Sequence, residues 1–471
     1  MDIFQNLKKF GNSTALIEDN LNEISYSEIL EETIKISKHI DGRSLIIIFS
    51  SNTIESIIGY ISFCIKKNVV MLVERNINQS NANKLIYNYN PDYIFLPKLS
   101  HLNFNNNFEI IFNYKNYLLL KSIKKITKIL HKELSILLPT SGTTGNSKFV
   151  KISNRNILSN TRSIIDYLHI NKNHKSITIL SMHYSYGMSI LNTHLSVGAK
   201  IVVTEEKITS KPFWNLLKSS RVTSISGVPF IYETFDKLKI QEMDLPYIKY
   251  FTQAGGKLKK NLVIKFANYC IKNDKEFIIM YGQTEASPRM SYLPFKDILR
   301  KPDSIGKAIN NCRFEIQDND GNIIKEINKS GQLIFYGDNV SMGYANNFLD
   351  LKNGYNNKGI LKTGDIATKD QENFYYILGR IDRSVKIAGI RINLDNIEKT
   401  LFDFGYEIVC LINENKLIIH IKCKSDFDKM KKKITSIVYS EFNINKNLLL
   451  LKKISEFPRN SDGKIIYKNL I

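Results

Sequence analysis

The chain has 471 residues, more than one hydrophobic core can organise, so two or three domains are expected. Hydrophobic residues make up 43% and charged residues 24%, which excludes a disordered chain, and no apolar run approaches the ~18 residues of a membrane span. Net charge is +21, yet no recognition helix, RNP-type aromatic strand or zinc finger accompanies it, so the excess reads as a composition drifted toward Lys, Asn and Ile, and nucleic acid is not an expected partner.

The start, MDIFQNLKKF, has no apolar signal core, and a cytoplasmic location is expected. Short β-rich runs then recur, each followed by a polar turn and often a helical pattern. SLIIIFS (44–50) leads into NTIESIIGYISFCIKK, where Ile54, Ile57, Ile58, Ile61 and Ile65 repeat at helical spacing. VVMLVE (69–74), DYIFLP (92–97), SITIL (176–180), KIVVTE (200–205), VTSISGVP (222–229) and FIIMYG (277–282) continue the series. Strands buried on both faces and separated by helices predict stacked, largely parallel α/β sheets. After about residue 310, RFEIQDNDGNIIKEI and GQLIFYGDNV predict a more antiparallel unit with tight turns. Near the end, SDFDKMKKKITSIVYSEF (425–442) places Phe427, Met430, Ile434, Ile437 and Val438 on one helical face, with Ser425 and Asp428 as its N-terminal cap. Cys64, Cys270, Cys312, Cys410 and Cys423 are scattered, without a CxxC, and read as reduced core thiols, not a zinc site or disulfide framework.

One stretch exceeds what a surface loop needs. LLPTSGTTGNSKFV (137–150) sets Thr140, Ser141, Gly142, Thr143, Thr144 and Gly145 in one row after an apolar strand, with Lys148 three residues beyond the last glycine. Two glycines let backbone N–H groups approach an anion, and the hydroxyls and lysine add donors and charge, so the row suits phosphate. It does not match GxxxxGK[ST], which disfavours a P-loop NTPase.

The same stretch resembles the phosphate-binding loop, TSG[ST]TGxPKG, of the adenylate-forming (AMP-binding) superfamily of acyl-CoA synthetases, carrier-protein-loading adenylation enzymes and luciferases. Ser147 replaces the usual Pro, and Phe149 the Gly after Lys. Further motifs follow in family order: QAGGKL (253–258), MYGQTEA (280–286), GQLIFYGDNVSMGY (331–344, with Gln332 for Glu), LKTGDIA (361–367), LGRIDRSVKIAGIRINLDNIE (378–398) and FPRNSDGKI (457–465). ISYSEIL (24–30) is similar to the family's N-terminal LTYxEL.

The resemblance implies a role for each motif. The 140–148 row would hold the ATP phosphates, and Gly255 and Gly256 would lie along the adenine, with Tyr281 and Gly282 beside it. Thr284 would bond the α-phosphate and Glu285 would ligate Mg²⁺. Asp365 would accept the ribose hydroxyls, Arg380 would support it, and Asp382 would be the hinge of a mobile C-terminal domain. Lys464 would bridge the substrate carboxylate and the α-phosphate in the transition state. Tyr184, Tyr186, Gly187, Ala254 and Ala286, with Met290, would line the acyl pocket. His183 draws no acid–base role, because a carboxylate at neutral pH has no proton to remove.

The expected architecture is α/β: an N-terminal AMP-binding domain over 1–380, of stacked mixed and parallel sheets with helices plus a small β-barrel-like subdomain, and a small mobile α+β domain over 381–471 carrying Lys464. The expected reaction makes an acyl-adenylate and pyrophosphate from ATP, with Mg²⁺, and a small carboxylic acid. It then transfers the acyl group to a pantetheine thiol on coenzyme A or an acyl carrier protein. The nearest alternative is an amino-acid-activating enzyme, but family members place an Asp there to pair with the α-ammonium where this chain has Gly187. A non-catalytic nucleotide-binding protein is the other alternative, opposed by the joint presence of Thr284, Glu285, Asp365 and Lys464.

Overall fold

The computed structural model describes residues 3–104, 107–124, 126–140, 148–387, 390–413, 416–423, 426–459, 463 and 465–470. The chain divides into two compact units: Met1–Pro302 with Ala308–Arg313 and Tyr336–Leu361, and Asp303–Lys307 with Phe314–Phe335 and Lys362–Ile471.

The first unit is built on two large sheets. One has eight strands, in the order Gly343–Ala345, Phe149–Ser153, Leu134–Pro139, Val69–Glu74, Leu45–Ser50, Tyr93–Pro97, Tyr117–Ser122 and Phe108–Tyr114. Its centre is parallel: Leu45–Ser50 pairs in that sense with both Val69–Glu74 and Tyr93–Pro97. All six residues of Leu45–Ser50 are buried, because Ile46 and Ile48 enter one core and Leu45, Ile47 and Phe49 another. The other sheet has nine strands and carries Thr14–Ile17, Lys175–Ile177, Lys200–Val202, Ser224–Gly227, Tyr250–Gln253 and Glu276–Gly282 as its parallel body. One continuous core joins residues of both sheets to those of the helices Ile54–Ile65 and Ser185–Leu195. Eleven of the twelve residues of Ile54–Ile65 are buried, and its N-cap, Thr53, accepts a hydrogen bond from the Ser56 amide. The ISYSEIL segment forms a capping box, with Ser25 and Glu28 bonding each other's backbone at the start of Tyr26–Ser37.

In the second unit Arg313–Gln317, Gly331–Tyr336, Ile360–Lys369 and Tyr375–Arg380 make a four-stranded sheet. Among the described residues it stays open and does not close into a barrel. Ile323, expected on a strand, makes only an isolated bridge to Gln317. The final segment forms a three-stranded sheet (Ile408–Asn413, Lys416–Lys422, Leu449–Ile454) packed with helices Leu394–Asp403 and Phe427–Phe442 around Ile397, Leu401, Ile419, Ile434 and Val438. That last helix is capped by Asp426, whose carboxylate accepts from the Lys429 amide; the expected cap Ser425 lies outside the described residues. The five cysteines are free thiols, and four are buried. Among the described residues no helix is long and apolar enough to cross a membrane.

Candidate active site

The strand Leu134–Pro139 runs antiparallel to Phe149–Ser153, with Pro139 opposite Phe149, so the Thr140–Lys148 row is the connection between two paired strands. Ser141, Gly142, Thr143, Thr144 and Gly145 lie outside the described residues; Thr140 and Lys148 flank them. The neighbouring strand Gly343–Ala345 sets Tyr344 opposite Val150. Lys148 Nζ lies 3.5 Å from the centre of the Tyr344 ring, a cation–π contact. The Tyr344 hydroxyl in turn donates to Glu285 Oε1 at 2.9 Å. Residues distant in sequence thus form one line: lysine, aromatic ring, carboxylate.

Glu285 sits on a short 3₁₀ turn, Thr284–Ala286, after the parallel strand Glu276–Gly282. The chain then returns as Arg289–Leu293, with Gly282 paired to Arg289. Buried amides hold this corner. Asn339 Nδ2 donates to the carbonyls of Ala286 and Arg289, both at 2.7 Å, and its own backbone carbonyl accepts from Ser287 Oγ. Asn160 exchanges two hydrogen bonds with the Arg289 backbone, and the Ser341 amide donates to the Glu285 carbonyl at 2.8 Å. The buried Thr284 hydroxyl lies 3.2 Å from Ser185 Oγ, on the first residue of helix Ser185–Leu195. The positive end of that helix therefore faces the same corner as Thr284.

Next to it is an aromatic chamber. Tyr184, Tyr186 and Ala254 are buried in one cluster with Leu180, Val228, Tyr250, Ile278 and Met280. The Tyr186 hydroxyl lies 2.7 Å from Thr252 Oγ1 and 3.1 Å from the Thr252 carbonyl oxygen, which fixes the ring. Gly255 has φ +86°, and a Cβ there would stand 2.4 Å from the Tyr184 hydroxyl. Gln253 Nε2 donates to the carbonyls of Ala254 and Gly256, which fixes the glycine pair's backbone. A Cβ on Gly187 would lie 2.2 Å from the Ser181 carbonyl oxygen, so no side chain fits at that position. Ala286 and Met290 are fully buried but belong to neither this cluster nor its rim. His183 is buried with Nδ1 3.4 Å from Ser50 Oγ, and burial holds its imidazole below the usual range, in the neutral form.

In the second unit Asp365 is paired with Arg380 across adjacent strands and is 5% exposed. Arg380 Nε lies 3.7 Å from Asp365 and donates to Asp382 at 3.2 Å. Asp382 is exposed on the turn Ile381–Arg383 that follows the strand. The Arg380 amide donates to Asp395, so the sheet's end is tied to helix Leu394–Asp403. Arg383 ion-pairs with Asp395 and Glu398, and burial pushes the Glu398 carboxyl up to about 7 despite Arg383. The expected catalytic Lys464 lies outside the described residues; around it, Arg459 and Ile465 form an antiparallel bridge and Arg459 donates to the Gly463 carbonyl at 2.7 Å.

Two features escape sequence reading. Tyr344 belongs to a recognised motif, but nothing in the sequence links it to Glu285, 59 positions earlier. Arg289 reads as an ordinary cation after YGQTEASP, yet it is 2% exposed, with its guanidinium 4.7 Å from the Tyr186 ring centre.

The motifs and this arrangement define a class, and comparison with known proteins agrees. The profile of the AMP-binding enzyme family matches residues 3–345, and the chain belongs to that family. Luciferin 4-monooxygenase of Photuris pensylvanica is 27% identical over 283 residues, 58% of this chain and 50% of its own. A component of the linear gramicidin synthase of Brevibacillus parabrevis is 25% identical over 284 residues, 58% of this chain and 4% of its own. 4-Coumarate–CoA ligase 3 of Oryza sativa subsp. japonica is 24% identical over 365 residues, 72% of this chain and 64% of its own. The chain thus spans half or less of the length of the first curated relatives it matches. Among solved structures, the o-succinylbenzoate CoA synthetase of Bacillus subtilis bound to its acyl-adenylate superposes with a TM-score of 0.78 at 16% identity, covering 99% of this chain and 97% of that one. At that identity the likeness is one of fold.

Proposed function

We propose that the chain is an ATP-dependent acid–thiol ligase. It joins a carboxylic acid to the α-phosphorus of ATP, releases pyrophosphate, and passes the acyl group to a pantetheine thiol on coenzyme A or an acyl carrier protein. The observation that carries this reading is the Lys148–Tyr344–Glu285 line beside Thr284, at the end of a parallel strand where α/β sheets bind ligands. Both reactants are anions, so the site must chiefly screen charge and align the attack. Lys148, with Thr140 and the row between them, would neutralise the phosphates, and Thr284 would bond the α-phosphate. Gly255, Gly256, Tyr281 and Gly282 would border the adenine, and Asp365 with Arg380 would hold the ribose.

The residues present fit Mg²⁺. Among the described residues no group of three or more acidic, His or Cys side chains could cage a metal. Magnesium, however, is commonly held by one carboxylate together with substrate phosphates and water, and Glu285 offers that carboxylate, with Tyr344 bonding only Oε1. When bound, the ion would screen the phosphate charge. Lys464 would approach the reacting oxygens from a C-terminal domain over 381–471 that turns about Asp382, and we place the enzyme in the cytoplasm, where its thiols stay reduced. The space around Gly187 supports a non-amino acid substrate, since no carboxylate can be seated there to pair an α-ammonium.

ATP–pyrophosphate exchange against a panel of carboxylic acids, amino acids included, tests this. Exchange driven by a non-amino acid is expected. Exchange driven only by α-amino acids would favour the alternative, and ATP binding without any acid-dependent exchange would overturn the ligase.

A further inference from the structure

Among the described residues the buried guanidinium of Arg289 has no counter-charge. Its Nε is fully buried without a hydrogen-bond partner, and the polar neighbour that the guanidinium does meet, the Tyr167 hydroxyl, is uncharged. It lines a small cavity of about 20 Å³, and none of the cavity's lining residues is acidic. A second donor on the lining, the Tyr250 hydroxyl, is also buried and unpartnered. The cation–π contact with Tyr186 compensates only part of the cost of burying a charge away from water. His194 Nε2, the third unpartnered atom there, is an acceptor, because Nδ1 carries the proton shared with the Ile190 carbonyl. It suits a water, which fills a space of this size until a ligand group displaces it.

The cavity adjoins the acyl chamber. Tyr186, Tyr250 and Met280 line it and also pack in the cluster that contains Tyr184 and Ala254. Arg289 itself is fixed to the YGQTE corner by its ladder pairing with Gly282 and by Asn160 and Asn339. A charged donor is therefore held at a set position beside the chamber, with room for the terminal atoms of one small group. A planar guanidinium matches the two oxygens of a carboxylate better than any neutral acceptor.

Resting on the ligase reading, we propose that Arg289 is a specificity-determining residue and that the acid substrate is a dicarboxylic acid, one carboxylate activated and the other bound by Arg289 and Tyr250. A site built around a buried polar group discriminates strongly against a substrate that leaves that group unpaired. Pyrophosphate exchange is measured with matched pairs of acids of equal chain length, such as hexanoate with adipate and phenylpropanoate with its carboxyphenyl counterpart. For the better pair, kcat/KM should favour the dicarboxylate by at least ~10²-fold. Arg289→Met should abolish that preference and Arg289→Lys should retain part of it, whereas a merely structural role would lower both acids equally. If the variants do not fold, wild-type thermal shifts with acyl-sulfamoyl-adenosine analogues replace them, and the carboxylated analogue should stabilise more. Equal rates or equal shifts for paired acids would overturn the inference while leaving the ligase intact. Failure of every acid to drive exchange would overturn both.

Discussion

Lys464 carries the reaction in this reading, and a lysine that neutralises charge between two anions is worth more than its contacts suggest. Lys464→Ala should slow adenylation by at least ~10²-fold, the scale for losing one charge-stabilising donor. Acyl transfer from supplied acyl-adenylate should survive, and equal loss of both half-reactions would contradict a lysine used only in the first. Gly187 provides the opposite test, because its importance is steric. A Cβ 2.2 Å from the Ser181 carbonyl must displace backbone, so Gly187→Ala should destabilise the chain by about 1–3 kcal/mol, read as a drop in urea midpoint. Gly187→Asp should therefore not convert the enzyme to amino acids, and a stable Asp variant that activates them would refute the packing. The sequence made Gly187 legible only as a missing acid. That no residue larger than glycine fits became visible only once Ser181 was placed against it.

At the scale of elements, the corner between Glu276–Gly282 and Arg289–Leu293 depends on amides from elsewhere in the chain. Asn339→Ala would leave two buried carbonyls without that donor, and a loss of about 2–3 kcal/mol is expected, together with a raised KM for MgATP. Unchanged stability would show that water replaces the side chain. The proposed hinge at Asp382 is tested by Asp382→Pro, since proline fixes φ near −65° and would block a backbone rotation. Pyrophosphate exchange should persist while thioester formation fails, and normal overall turnover would place the swing elsewhere. Runs such as SLIIIFS and VVMLVE were readable as strands because both faces are buried and the apolar run is continuous. SITIL was not fully readable: the strand is only Lys175–Ile177, and beyond it the Thr178 amide still donates to the Val202 carbonyl while its hydroxyl takes over the bonds to the Thr204 backbone. The Phe427–Phe442 helix was plain from its periodicity, but its cap is Asp426, which the reading of Ser425 and Asp428 as the cap passed over. Asn160 carried no periodic or motif signal, and Asn339 lies within the 331–344 motif without any sign of what it bonds, so their clamp could not be read from sequence.

For the whole molecule, buried histidines link folding to pH. His194 is buried with Nδ1 2.9 Å from the Ile190 carbonyl, and burial pulls its imidazole down to about 4; burial also lowers His183 and His174. Each is neutral when folded but takes up a proton when unfolded below ~6.5, so the stability they contribute is complete above that pH and is lost as pH falls. For His194 the first unit should lose up to about 1.4 kcal/mol per pH unit between pH ~6.5 and ~4, and His183 and His174 act in the same direction. A urea midpoint that stays flat from pH 6.5 to 5 would contradict this, and His194→Phe should reduce the slope by one proton. The expectations about activity presuppose that a carboxylate oxygen attacks the α-phosphorus of ATP. Turnover with an ¹⁸O-labelled acid, the acyl group trapped by hydroxylamine, tests that step directly by mass spectrometry of the nucleotide. One ¹⁸O in AMP, with unlabelled pyrophosphate, is the predicted result; label in inorganic phosphate with ADP as product, or AMP without label, would contradict it.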